Sequence, residues 1–380
     1  MKFDVIICGA GPAGCTAALA LGTSGLRVAL IEKHHFPREK VCGDGLSAYV
    51  PKVLNTIDPE YKKAFEQLVQ KTEVNICRVI APDERILDLK FSESGFICKR
   101  SIFDAFLFEL VTRLSNITAI QDTSVKDITA DDNEVTIKTD KNMILCAKMV
   151  IGCDGAQSIV KRKLTGTKIS PSHCSGAVRT YYRNVRDIQP GTLELHFLRD
   201  FLPGYFWIFP LPDNISNIGL GMPSRTIIEK RINLAIELTR IVENVPYLKR
   251  RFQDAEMTGG IKGHLLPLGS RKTCISGRRF MLCGDAASLA NPASGAGIGQ
   301  AMQSGRFAGW HAVKCFEKND FSADFMKIYD ETVYDKIWKE NKHHCIIREL
   351  VFNYQWRMNS VIFAGQKSKM FNKMIIRHLK

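Results

Sequence analysis

Phe3-Asp4-Val5-Ile6-Ile7-Cys8-Gly9-Ala10-Gly11-Pro12-Ala13-Gly14 opens the chain, and Arg27-Val28-Ala29-Leu30-Ile31-Glu32 follows one helix length later. The apolar run Val5–Cys8 predicts a strand buried on both faces, as in a parallel sheet. It stops at the glycines, and small residues over 16–21 continue as a helix. A second apolar run, Val28–Ile31, predicts the next strand and ends in Glu32, eighteen positions after Gly14. Strand, glycine turn, helix, strand and acid make up a dinucleotide-binding βαβ unit. In such a unit Gly9 permits the tight turn and Gly11 lets the backbone approach a pyrophosphate. Pro12 and Ala13 open the helix, whose free N–H groups face the phosphates, and Gly14 lets it pack closely on the sheet. Glu32, with Lys33 beside it, is placed to accept hydrogen bonds from ribose hydroxyls.

Similar turns recur downstream. Residues 102–114 carry apolar side chains at helical spacing, and strand-like runs follow at 117–121, 124–129, 134–138 and 144–151. The last run ends in Gly152-Cys153-Asp154-Gly155. Later, Phe280-Met281-Leu282-Cys283 stops at Gly284-Asp285, and a loop with Pro292, Gly295, Gly297 and Gly299 opens a helix near Ile298. Each alone reads as an ordinary strand-to-helix turn. Together, and in this order, they resemble the flavoprotein group typified by p-hydroxybenzoate hydroxylase. The resemblance implies FAD as cofactor and an α/β, Rossmann-like FAD-binding domain with an inserted, mostly antiparallel β-sheet substrate domain and a helical C-terminus. It also implies that Asp285 holds the ribityl hydroxyls and that the Gly297 and Ile298 amides stabilise charge at the flavin's pyrimidine edge. Arg100 matches an arginine that contacts FAD, Val125 a backbone contact to adenine, and Asp154-Gly155 the turn beside the pyrophosphate.

Two segments narrow the family. Lys40-Val41-Cys42-Gly43-Asp44-Gly45 follows the second strand, and Tyr205-Phe206-Trp207-Ile208-Phe209-Pro210 reads as an aromatic strand. Both resemble motifs of the geranylgeranyl reductase family, as does Asn217-Ile218-Gly219-Leu220-Gly221; the similarity runs from residue 1 to about 310. It implies reduction of C=C bonds in a polyprenyl chain by hydride from reduced FAD. It places the Lys40, Cys42, Gly43 and Gly45 loop beside the flavin ring, with Cys42 as the catalytic candidate and Tyr205 as a second one. A polyprenyl chain is long and apolar, so its site calls for a hydrophobic channel. Tyr205, Trp207 and Phe209 alternate along the strand and project from one face, with Pro210 closing it. From spacing alone the same alternation equally describes a sheet core, and a lone cysteine equally a small buried residue.

Other readings share the framework. An aromatic hydroxylase would use the same FAD domain. A flavin-dependent halogenase carries a related Trp-x-Trp-x-Ile-Pro strand, from which this chain departs at Tyr205 and Phe209. A non-catalytic flavin electron carrier docked by its basic tail is the third alternative. No second glycine motif for a nicotinamide cofactor is present, so the electron donor is left between NAD(P)H and a ferredoxin-like protein.

The chain has 380 residues, 45% of them hydrophobic, enough for two intertwined domains with proper cores. The expected division is 1–75, 98–165 and 270–330 for FAD, 76–97 and 166–269 for the substrate sheet, and 331–380 as a basic helical region. No run reaches the roughly 18 to 20 apolar residues of a membrane span. Twelve cysteines occur without a C-x-x-C pair, which supports neither a metal site nor a disulfide framework and fits a cytoplasmic protein. The net charge of +14 concentrates partly in the tail, at Lys336, Lys339, Lys342, Arg348, Arg357, Lys367, Lys369, Lys373, Arg377 and Lys380. Apolar residues such as Leu350, Trp356, Phe363, Met370, Phe371, Met374 and Ile375 interleave with them. That pattern suits peripheral contact with an anionic membrane at its inner face, and equally a helix packed on its own domain. No nucleic-acid module is present, so no nucleic-acid partner is expected.

Overall fold

The structure, a computed structural model, describes residues 1–368. The apolar runs at the two glycine-and-acid turns and at the N-terminus lie side by side. They form a six-stranded sheet ordered Ser276–Gly277, Phe280–Leu282, Met149–Gly152, Val5–Cys8, Val28–Ile31, Ile117–Ile120. All neighbours are parallel except the first pair. Val5 stands opposite both Val28 and Met149, so these strands end level with one another. Their carboxyl ends therefore deliver Gly9, Glu32, Asp154 and Asp285 to one edge, the crevice where open parallel sheets bind ligands.

A nine-stranded sheet covers that edge. Its main path runs Glu256–Met257, Cys174–Arg183, Ile215–Pro223, Tyr205–Pro210, Thr192–His196, Thr72–Ile80, Ile86–Ile97, Gly45–Leu46, with Lys262–Pro267 also paired to Cys174–Arg183. Only the Thr192–His196 and Thr72–Ile80 pair is parallel. Along Tyr205–Pro210 the side chains alternate as the pleat requires. Phe206 and Ile208 enter an apolar core with Ile218, Leu220, Leu238 and Ile241, while Tyr205, Trp207 and Phe209 form a row on the opposite face.

The structure refines the sequence reading at three points. The run 144–151 is two strands: Ile144–Ala147 closes a separate three-stranded antiparallel sheet, and Met149–Gly152 joins the six-stranded one. Lys148 makes the break, its N–H donating to the Asp4 carbonyl instead of to a ladder partner. The expected boundary between residues 75 and 76 cuts the continuous strand Thr72–Ile80, and we place it before Thr72. In the tail, Ala323–Ile347 and Gln355–Lys367 are helices joined by the π-helical turn Arg348–Phe352. Met358 and Ile362 bury against Cys77, Val79, Leu87 and Leu89, so the last helix packs on the large sheet. The expectations for Lys369, Lys373, Arg377 and Lys380 and their apolar neighbours lie outside the described residues.

The first helix, Pro12–Ala20, lies against Ile298–Lys318 with almost no side chain between them. A Cβ added at Gly305 would collide with the Ala13 carbonyl, and one at Gly309 would meet Ala20 Cβ at 2.7 Å. Gly305→Ala must push the two backbones apart. It is expected to destabilise the protein by about 2–3 kcal/mol, read as a lower denaturation midpoint with an unchanged m-value.

Candidate functional site

A cavity of about 790 Å³ lies between the carboxyl edge of the six-stranded sheet and the aromatic face of the nine-stranded one. Its floor comes from the first turn, with Gly9, Gly11, Pro12, Ala13, Glu32 and Lys33. Val125, Arg100, Asp154 and Gly155 continue that wall, and Gly284, Asp285, Gly295, Gly297 and Ile298 close it from the late loop. The loop residues Lys40, Cys42, Gly43 and Gly45 face Tyr205, Trp207 and Phe209 across the remaining space. Two sequence candidates do not line it. Gly14 is buried in the helix, where any side chain would strike the Gly9 carbonyl, and Pro210 ends its strand opposite Ser216.

Charged groups on the wall are mostly paired. The Glu32 carboxylate accepts from the Ala10 N–H at 2.9 Å and lies 3.5 Å from Arg38 Nε. Arg38 also meets Asp104 at 3.1 Å, and Asp104 takes a two-point contact from Arg100 at 2.6 and 2.7 Å. Burial lowers the Arg100 pKa, but Asp104 more than offsets it and the guanidinium stays firmly charged. Asp154 caps the helix Ile159–Thr165 by accepting from the Ile159 and Val160 amides. Lys40 Nζ lies 2.7 Å from His264 Nε2, and His264 Nε2 lies 4.0 Å from Asp285 Oδ2. Burial, then the Lys40 and Arg100 charges, push the His264 pKa down to about 4, so the ring is neutral and its Nε2 accepts a hydrogen bond from Lys40.

Behind the Cys42 loop is a polar knot centred on the fully buried Asn217 and Asp44. Asn217 Nδ2 donates to the Cys42 carbonyl at 2.9 Å and to Asp44 Oδ2 at 2.8 Å, while its Oδ1 accepts from Trp207 Nε1 at 2.9 Å. Tyr181 donates to the same Asp44 oxygen at 2.7 Å. The indole lies on bare backbone, because any Cβ at Gly219 would overlap it. Tyr205 donates its hydroxyl proton to the Ser294 carbonyl, tying the aromatic strand to the loop before Ile298.

Several of these residues escaped the sequence reading. Arg38 lies two residues before the quoted Lys40 loop, and Asp44, inside it between two glycines and in the left-handed region at φ 64°, carried a readable turn signal. Asn217 stood in a noted run without a role. His264 carried no signal, since its partner Lys40 is 224 residues away and strand pairing alone unites them.

The cavity suits a ligand with a pyrophosphate between hydroxyl-rich segments. A Cβ at Gly155 would meet nothing within 4 Å, and one at Gly11 only Arg38 Nη2 at 3.6 Å, so both turns present bare backbone. Asp154 Oδ1 is buried without a partner. The Asp285 carboxylate accepts no hydrogen bond from any described residue. The helix Ile298–Lys318 begins on this wall with unsatisfied N–H groups. FAD meets each of these requirements.

Comparison with known proteins agrees. The family described as FAD binding domain matches residues 2–210. A digeranylgeranylglycerophospholipid reductase of Thermoplasma volcanium is 30% identical over 360 residues, covering 91% of this chain and 87% of the relative. A Methanosarcina acetivorans protein of the same name is 29% identical over 363 residues, covering 92% and 83%. Among solved structures, a geranylgeranyl bacteriochlorophyll reductase-like protein from Thermoplasma acidophilum superposes with a TM-score of 0.80 at 25% identity, covering 95% of this chain and 90% of that one. A flavin-dependent brominase reaches a TM-score of 0.79 at 19% identity over 100% and 93% of the two chains, which speaks to fold alone. The match over residues 2–210 and the 30% identity across 91% of the chain place this chain in the FAD-binding domain family, as a member of its geranylgeranyl reductase branch.

Proposed function

We propose that this chain reduces carbon–carbon double bonds of a polyprenyl lipid, using bound FAD. The observation that carries this is a shared space. The cradle of bare glycine turns and the row Tyr205, Trp207 and Phe209 open into one cavity, with Cys42 between them. In this reading Gly9, Gly11, Pro12 and Ala13 hold the pyrophosphate with Asp154 and Gly155, and Glu32, Lys33 and Val125 hold the adenosine end. Arg100, Gly284 and Asp285 hold the ribityl chain. Lys40, Gly43, Gly45, Gly295, Gly297 and Ile298 surround the ring. The reduced cofactor supplies a hydride. An isolated alkene accepts hydride poorly, so the protein must hold the chain still, exclude water and deliver a proton. The aromatic row does the first two. Cys42 faces the cavity, its loop pinned by Asn217. Lys40, hydrogen-bonded to neutral His264, stores the proton.

Purified protein with chemically reduced FAD is expected to add two hydrogens per double bond to a geranylgeranyl lipid, read by mass spectrometry. Oxygen-dependent hydroxylation or bromination instead would defeat the proposal. Cys42→Ala should keep FAD and lose roughly a hundredfold or more in turnover.

The Lys40 ammonium also predicts a pH dependence. Burial first, then the Arg100 charge, lower its pKa, against the opposing pull of Asp285, Cys42 and Asp104. Turnover should therefore decline as pH rises through that lowered value, earlier than an ordinary lysine would allow. Lys40→Met should be slow throughout and lack this alkaline limb, whereas a Lys40→Met profile identical to the parent's would remove Lys40 from the reaction.

A peripheral membrane contact is the second part of this reading. Leu350, Tyr354, Trp356 and Phe363 are 54%, 48%, 64% and 49% exposed, and Arg357 lies over the Tyr354 and Trp356 rings. The same segment supplies Arg348 to the cavity wall. No helix among the described residues is long and apolar enough to cross a membrane. Sedimentation with vesicles containing roughly 30% anionic lipid should capture the protein at low salt. Trp356→Ala/Phe363→Ala should weaken capture several-fold; equal capture of parent and variant would exclude this face.

A further inference from the structure

Arg179 is a charged side chain to which no role has yet been given. It lies within Cys174–Arg183, paired with Gly219 on one side and Lys262 on the other, and is 4% exposed. With Ser175 and Ala177 it faces the cavity. The guanidinium stacks on the Tyr181 ring at 4.4 Å, yet it makes no ion pair or hydrogen bond with any described residue, and its Nε is buried without a partner. The other arginines buried in this wall behave differently, since Arg100 and Arg38 are both paired to Asp104. The nearby acids act on it only at a distance: Asp44 accepts from Tyr181 and Asn217 through Oδ2 and leaves Oδ1 without a partner, and Glu39 is ion-paired with Lys262. Lys99 Nζ adds a second cation over the Tyr181 ring at 5.2 Å.

A buried guanidinium that no carboxylate touches leaves its N–H groups unsatisfied, and a ligand anion in contact with it removes that cost. The planar guanidinium fork matches two oxygens of one phosphate, and stacking on Tyr181 holds the fork in place. We propose that Arg179 anchors a seat for a phosphate group on a ligand that enters the cavity after FAD. This chemistry is shared by the phosphorylated head of a prenyl substrate and by the phosphates of a nicotinamide nucleotide. The inference rests on the cavity being the reductase site proposed above.

The test compares FAD-loaded parent, Arg179→Gln and Arg179→Lys. Calorimetric titration with inorganic diphosphate should show affinity at least about tenfold weaker in Arg179→Gln, as expected for loss of a charge-assisted hydrogen bond, and partly recovered in Arg179→Lys. FAD content and flavin absorbance should not change. A matching rise in KM for geranylgeranyl diphosphate, with geranylgeraniol unaffected, assigns the seat to the lipid head. A rise confined to NADPH assigns it to the nucleotide. Unchanged diphosphate affinity, or loss of FAD from Arg179→Gln, overturns the seat. If the parent reduces neither lipid while diphosphate affinity still depends on Arg179, the reductase reading fails and the phosphate seat stands.

Discussion

Two backbones in near contact hold this molecule together. Helices Pro12–Ala20 and Ile298–Lys318 touch through Gly305 and Gly309, although almost three hundred residues separate them. Their contact fixes the start of the late helix beside the first glycine turn. Only then do Gly11 and Asp285 border the same cavity. Close packing of this kind tolerates no added methyl group, because protein interiors already approach crystalline density. The level ends of the parallel strands supply the remaining alignment, and Gly9, Glu32, Asp154 and Asp285 arrive at one edge as a result.

The second sheet is joined to this framework by polar groups. Asn217 connects the Cys42 carbonyl, Asp44 and the Trp207 indole. Asn217 and Asp44 are fully buried, so losing Asn217 would strand the Asp44 carboxylate and the indole N–H in a dry interior, at a greater cost than one hydrogen bond returns. It sets the height of the Cys42 loop over the aromatic row. Tyr205 adds a second tether through Ser294. The Cys42 loop and the aromatic strand are thus one mechanical unit.

Much of this was legible beforehand where local chemistry is self-contained. The turn at Gly9–Gly14, the acid at Glu32 and the alternation of Tyr205, Trp207 and Phe209 each carry their geometry in a few neighbouring residues. What could not be read depends on distant pairing. His264 meets Lys40 only because Lys262–Pro267 pairs with Cys174–Arg183. Arg179 resembles any strand arginine until its burial is known. The break at Lys148 was hidden because Ile144–Ala147 and Met149–Gly152 share one apolar composition while serving different sheets. The strand Thr72–Ile80 runs through the expected boundary at 75/76 because its burial changes along its length, from mixed at Thr72–Ile76 to mostly buried at Cys77–Ile80.

One feature of the aromatic row reaches further. The Trp207 indole rests against main chain at Gly219 and is anchored by Asn217, so no neighbouring rotamer can move aside to admit a wider guest. The height of the indole at that point is a property of the sheet itself. A side chain added at Gly219 would displace it and, through Asn217, shift the Cys42 backbone as well, so neither wall of the cavity can be reshaped without the other.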